Sequence, residues 1–249
     1  MELFGKSIKG RRDSNQDKIY FDKNNDCFIM AVADGIGGNF GGEIASKIVI
    51  TQCKKIFHQV SDHPNVYNIK NLVRQIYDFS QKVFCKVSKR KPVLKNMGTT
   101  LTIVIGYKNQ FIVGNIGDSK TFLIRNNELE QLSRDHSYLQ EYKEKFPDEE
   151  ILEIVKKQLG SVITKSVTCG EDQIDIFPTK SHFFKLLEGD LILLCSDGLI
   201  IDELGLDSDF FSEMKQTGKN SKEIVNILIS RAYDLGSKDN ISTIIGIYK

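Results

Sequence analysis

Four apolar runs of this chain meet an aspartate at one end. MAVADG stops at Asp34, FIVGNIGDS at Asp118 and DLILLCSDG at Asp197, while Asp239 in SKDN stands just before the final apolar run. Short runs rich in Ile, Val, Phe and Thr are strand signals, so each of these residues is expected where a strand meets a loop. One strand-terminal Asp is ordinarily a turn former or a helix N-cap. Several of them, joined by Asp17 in SNQD, would gather carboxylates at one rim of a sheet core. Like charges held close are costly unless they are protonated or neutralised by a cation.

The remaining pattern supplies that core. Strands are expected at 27 to 33, 100 to 106, 110 to 115, 121 to 125, 190 to 195 and 242 to 248, with tight turns at YKNQ and RNNE, where Asn tolerates positive φ. Helical spacing places Ile44, Ile48, Cys53, Ile56, Phe57 and Val60 on one stripe, and Ile69, Leu72, Val73, Ile76, Phe79, Val83 and Val87 on the next. A later helix opens on Asn220 with Glu223, presents Ile224, Leu228, Arg231, Ala232 and Leu235, and stops at Gly236. Hairpin strands grouped apart from helices predict antiparallel sheets covered by helices in one α+β domain spanning 1–249, with no linker or repeat. The polar, helix-prone stretch from about 137 to 170 reads as an inserted lobe or flap.

Composition narrows the partner. Thirty-four Lys and Arg against 33 Asp and Glu leave a net charge of +1, so no overall field favours nucleic acid or an anionic membrane. The N-terminal residues contain no apolar signal region, and no apolar run approaches the roughly 20 residues that span a bilayer. Five scattered cysteines with no CxxC pair speak against a disulfide framework or a thiolate zinc site and fit a reducing cytosol. Cys195, in the strand feeding Asp197, is expected to be a buried apolar residue.

The glycine turn after Asp34 invites a phosphate-loop reading, which the spacing refuses. Phe40 stands where a dinucleotide fingerprint needs its third glycine, and Glu43 follows Gly42 where a phosphate loop needs Lys. Asp34 itself would repel a phosphate unless a cation lay between them. A donor set made of oxygens, without paired His or Cys, points to Mg²⁺ or Mn²⁺.

RRDSNQD, VADGIGG with GGEIAS, GTTLT, NIGDSK, LSRDHS, LLCSDGL and KDNIS resemble, in order and spacing, the metal-dependent protein phosphatases of the protein phosphatase 2C family, bacterial type, from about residue 8 to 248. The resemblance implies a four-layer α-β-β-α sandwich and removal of phosphate from phosphoserine and phosphothreonine proteins by a water activated between two Mn²⁺ or Mg²⁺ ions. It implies that Asp34 bridges both ions, the Gly35 carbonyl binds one, Asp197 and Asp239 hold the other, and Asp17 acts on the Gly35-side ion largely through water. Asp118, with Asp197, would hold the third ion that bacterial members often bind, and Arg12 would grip the phosphate oxygens. A cytoplasmic monomer opposing a Ser/Thr kinase is the expected setting, without nucleic acid or membrane partners.

Gln16 and Lys120 depart from the family pattern, while Ile36 is usual for its bacterial members. Gln16 stands where many relatives have Glu, offering an amide oxygen without charge. Ile36 follows the Asp-Gly pair near where animal members place a proton-donating His, so no protein general acid is assigned. Lys120 replaces the usual Arg of GDSR and is given a structural or charge-balancing role. A catalytically silent binding module keeping the fold and a hydrolase of small phosphate esters are the alternative readings. His136 is expected to anchor a loop, Thr99 and Thr100 to be strand residues, and His58, His63 and His182 to lie at the surface or in caps.

Overall fold

A computed structural model describes residues 1–24, 26–37, 41–60, 69–147, 151, 153–160, 162–179, 183–199 and 204–249. In chain order the elements are β1 (Glu2–Ile8), β2 (Lys18–Asn24), β3 (Cys27–Ala33), β4 (Gly35–Ile36), α1 (Gly41–Val60), α2 (Ile69–Arg90), β5 (Gly98–Thr99), β6 (Leu101–Tyr107), β7 (Gln110–Ile116), β8 (Lys120–Arg125) and β9 (Glu128–Gln131). There follow α3 (Tyr138–Lys145), α4 (Glu153–Gly160), β10 (Asp175–Phe177), β11 (Phe184–Lys185), β12 (Leu191–Cys195), α5 (Ser208–Gln216), α6 (Ser221–Asp234) and β13 (Ile241–Ile247).

Two antiparallel sheets form the centre, one ordered β1-β13-β12-β8-β9 and the other β10-β7-β6-β3-β2 with β11 also on β7. β3 shows how one sequence serves two layers. All seven of its residues are buried, and the period of two sends Ile29 and Ala31 toward the helices while Met30 and Val32 face the other sheet. Ile29, Ile103 and Ile112 pack against Val49, Cys53, Val73 and Ile76 of α1 and α2. Met30, Val104 and Val113 meet Ile192, Leu194 and Ile244 between the sheets. Leu193 and Ile245 turn outward onto Phe211, Ile224 and Leu228 of α5 and α6. The order is helix, sheet, sheet, helix, as the resemblance implies.

Register places the expected aspartates at one end. Lys18 pairs Ala33, Cys195 pairs both Lys120 and Thr243, Leu101 pairs Ile116, and Ile8 pairs Ile241. The starts of β2 and β13 and the ends of β3, β7 and β12 therefore share a rim.

Local signals hold with exceptions. Asn220 and Glu223 form a capping box at α6, but Arg231 is exposed and Leu235 is 55% exposed, so the buried stripe runs through Val225 and Ile229 instead. In RNNE both Asn126 and Asn127 have positive φ, whereas in YKNQ it is Lys108 that does. β1 and β2 were not among the expected strands. Gly5 and the interspersed charges of ELFGKSI and KIYFDKN blur the alternation that would announce them. His63 and His182 lie outside the described residues.

The cysteine reading needs correction. Cys85 and Cys169, 84 residues apart, are joined by a disulfide. Chain spacing carries no trace of it, because the contact arises only where the segment leaving α4 folds back onto α2. Cys27, Cys53 and Cys195 are free and buried, as expected for Cys195.

Candidate functional site

The site begins where β3 stops. The Asp34 N–H donates to Thr100 Oγ1 at 2.9 Å, and its carbonyl accepts from Thr99 Oγ1 at 2.7 Å and from the Thr100 N–H at 2.8 Å. With its backbone pinned three ways, the half-buried carboxylate is left to face the cleft. Thr99 and Thr100 are thus more than strand residues. Gly35 follows because nothing larger fits, since a Cβ there would lie 2.3 Å from the Gly42 carbonyl oxygen. Gly37, at φ +114°, completes the turn in a conformation that favours glycine.

Asp17 is 2% exposed and ties the two sheets together. Its Oδ2 accepts from Ser196 Oγ at 2.8 Å and Ser242 Oγ at 2.6 Å, while Oδ1 is buried with no hydrogen-bond partner. Asp118, in the turn between β7 and β8, is also buried and also keeps an unpartnered Oδ1. Asp197 is exposed at the first position of a short 3-10 turn. Gly198 beside it admits no side chain, because a Cβ would stand 1.9 Å from the Asn240 carbonyl oxygen.

Asp239 precedes β13, and its Oδ2 accepts from Arg12 Nη2 at 2.5 Å. Arg12 sits on the loop between β1 and β2, which the buried side chain of Asn240 holds at three points. The Asn240 Nδ2 donates to the Lys9 and Ser14 carbonyls, each at 2.8 Å, and its Oδ1 accepts from the Gln16 N–H at 2.8 Å. Arg12, Ser14, Gln16, Asp34, Gly35 and Asp239 are among the residues lining a cleft of about 430 Å³.

Charge is concentrated here. Burial foremost, then the charges of Asp17, Asp197, Asp118 and Asp239, raise Asp34 well above the ordinary carboxylate range. Burial pushes Asp17 up to about 6. Burial and then the Asp197 charge push Asp118 up to about 7, while Asp197, which reaches solvent yet is crowded by surrounding protein, is raised by that crowding and then by the charge of Asp239. Arg12 is raised by its hydrogen bond to Asp239. All five predicted aspartates, Gly35 and Arg12 have therefore been brought to one place.

The residues suit a hard divalent cation. Two buried carboxylate oxygens lack donors, the available ligands are oxygens, and the Gly35 position is too tight for any side chain. Among the described residues no three His, Cys, Asp or Glu side chains form a group that could hold an ion as they stand. Asp239 is meanwhile engaged by Arg12.

Neighbouring groups act through the backbone. His136 is fully buried. The Gly117 N–H donates to its Nδ1 at 3.1 Å, its own N–H donates to the Gly117 carbonyl at 2.9 Å, and its Nε2 lies 3.0 Å from Asp175 Oδ2. That network puts the ring proton on Nε2 and makes His136 the loop anchor expected of it. Burial opposes charge on Lys120, but Asp135 outweighs it and the ammonium stays favoured beside Asp118. Asn240, Ser196 and Ser242 were missed as supporting residues. Their only sequence signal is adjacency to the aspartates in CSDG and KDNIS.

Residues 4–226 match a family model described as Protein phosphatase 2C. The chain is 26% identical over 249 residues to the "Serine/threonine phosphatase stp" of Listeria welshimeri, covering 95% of this chain and 92% of that protein. A structure of the catalytic domain of serine threonine protein phosphatase PstP in complex with two manganese ions superposes with a TM-score of 0.79 at 26% identity, over 98% of this chain and 96% of that one. The S. agalactiae serine/threonine phosphatase structure gives 0.82 at 24% identity, over 100% and 99% of the two chains.

Proposed function

The chain belongs to the protein phosphatase 2C family, and we propose that it hydrolyses phosphoserine and phosphothreonine in proteins at the rim built by Asp17, Asp34, Asp118, Asp197 and Asp239. One observation carries this reading. Strand ends from both sheets deliver five carboxylates to one rim, where four of them raise Asp34 and two keep unpartnered buried oxygens, and Asp34 and Asp239 line an open cleft together with Arg12.

Asp34, the Gly35 carbonyl, Asp197, Asp239 and Asp17 would together hold two Mn²⁺ or Mg²⁺ ions. Asp118 and Asp197 are read as the ligands of a third. The manganese pair described for the PstP catalytic domain supports this reading. When bound, such ions supply Lewis acidity that activates water and offsets charge on the phosphoryl oxygens.

The chain's own residues do the rest. Arg12 presents a planar fork to the phosphate, exchanging the Asp239 oxygen for phosphate oxygens. Asn240 holds that arginine's loop in place, and Thr99 and Thr100 fix the direction of Asp34. Residues 1–249 are read as one catalytic domain with an inserted lobe at about 137–170. A monomer in the cytoplasm opposing a Ser/Thr kinase fits this reading, and among the described residues no helix is long and apolar enough to cross a membrane.

The test is turnover of a phosphothreonine peptide with Mn²⁺, with chelator, and by Asp197→Asn. Activity that needs the ion and is lost in the variant is expected. Silence of the folded wild type under every condition would favour the binding module, and cleavage of nucleotides or small esters but not phosphopeptides would favour the ester hydrolase.

A further inference from the structure

Two of the five cysteines lie together. Cys85 is half-buried on α2 and Cys169 is exposed on the segment leaving α4, with their Cα atoms 4.8 Å apart. That separation falls inside the range a disulfide requires. The other three are unsuited to thiol chemistry, since burial pushes Cys27 up to about 11 and Cys195 up to about 12, and raises Cys53 as well. Exposed Lys82 and Lys89 stand three residues before and four after Cys85, on its side of the helix.

The pair completes a stripe. Tyr77, Gln81 and Cys85 are spaced by four along α2 and hold one segment in turn. Tyr77 Oη donates to the Asp172 carbonyl, Gln81 Nε2 donates to the Gly170 carbonyl at 2.5 Å, and Cys85 is bonded to Cys169. Two residues before Cys169, Val167 exchanges both backbone hydrogen bonds with Thr99, at 2.8 and 3.1 Å. Thr99 Oγ1 in turn donates to the Asp34 carbonyl at 2.7 Å. The sulfur link therefore fastens the segment that braces the first residue of the aspartate rim.

We propose that Cys85 and Cys169 form a reversible, hydroperoxide-responsive thiol–disulfide site whose oxidation fixes segment 163–175 against Thr99 and Asp34. The Cys169 thiolate attacks the hydroperoxide. The O–O bond breaks, an S–O bond forms, alkoxide leaves to be protonated to alcohol, and the sulfur is oxidised to sulfenic acid. The Cys85 thiolate then attacks that sulfur, forming the S–S bond and expelling hydroxide, which is protonated to water. Two thiols and one hydroperoxide thus give one disulfide, one alcohol and one water. A dithiol reductant reverses the link and becomes a disulfide itself. Any effect on turnover rests on the phosphatase reading, but formation of the link and its grip on the segment do not.

The experiment takes the full chain, fully reduced, and adds one equivalent of hydrogen peroxide. The intact mass is expected to fall by two hydrogen atoms, with one cross-linked peptide pair containing Cys85 and Cys169. Backbone amide exchange across 163–175 should slow by about tenfold and recover with dithiothreitol. In Cys85→Ser, and separately in Cys169→Ser, peroxide should leave exchange unchanged. The proposal is overturned if both thiols stay free, if other cysteines cross-link, or if the link forms without slowing exchange. Absence of phosphopeptide turnover in both redox states would strike the phosphatase reading alone and leave the mass and exchange results standing.

Discussion

The aspartate rim and the segment returning from α4 are linked through Val167, Thr99 and Asp34, yet they are held by different means. At the rim the carboxylates are carried by strand ends, and buried partners fix two of these residues, Thr100 through the Asp34 backbone and Ser196 with Ser242 through the Asp17 carboxylate. In the lobe, α3 buries no residue, and its contacts include an ion pair between Arg134 and Glu144 with both side chains substantially exposed. A rim anchored this way keeps Asp17 and Asp34 in place despite the repulsion among its charges. The lobe has no such constraint, so its substitutions should be cheap and the rim's expensive.

The largest effect should come from Asp197→Asn, which removes charge at an exposed position and should leave the fold intact. Phosphothreonine-peptide turnover in Mn²⁺ should fall by about a thousandfold or more, with circular dichroism unchanged. A fall within tenfold would break the contrast. Asn240→Ala should come next, because it leaves the Lys9 and Ser14 carbonyls without their donor and the Gln16 N–H without its acceptor. A stability loss of about 2–4 kcal/mol in denaturant unfolding is expected, together with roughly tenfold higher KM as Arg12 loses its position.

A pH series on the chelated protein sharpens the same point. Asp17 and Asp118 are raised in the folded state to about 6 and about 7, so their stabilising contribution is whole below their unfolded values and is lost as pH rises through that window. Metal-free protein should therefore lose roughly 4 kcal/mol between about pH 5 and pH 8, and Mn²⁺ should cancel most of the loss. A metal-free melting temperature that climbs over this range would contradict the crowding of carboxylates. Glu144→Gln should do least. Arg134 holds that carboxyl down to about 2, but the pair is exposed enough that its loss should cost under about 1 kcal/mol, and phosphopeptide turnover should stay within twofold of wild type.

The same contrast explains what was legible in the sequence. Asp34, Asp118, Asp197 and Asp239 could be read because each stands between an apolar strand and a small turn residue, a local signal that needs no knowledge of the partner strand. The antiparallel layers followed from β-rich runs grouped apart from helical stripes. Asn240 and the pair Ser196 and Ser242 could not be read as supports, since their bonds reach residues 179 to 231 positions away. Cys85 and Cys169 were read as unpaired for the same reason, their contact being made only by the fold-back of the 163–175 segment onto the Tyr77–Gln81–Cys85 stripe. Lys108 taking the left-handed turn position beside Asn109 shows that the turn itself was specified while the residue bearing it was not.

The most direct measurement is anomalous diffraction from crystals soaked in Mn²⁺. Two strong peaks are expected within ligand distance of the Asp34 carboxylate, one beside the Gly35 carbonyl and the other beside Asp197 and Asp239, with the Arg12 side chain withdrawn from Asp239. Peaks confined to other surfaces, or a soaked crystal in which Asp34 contacts no ion, would contradict the assignment of this rim as the catalytic centre.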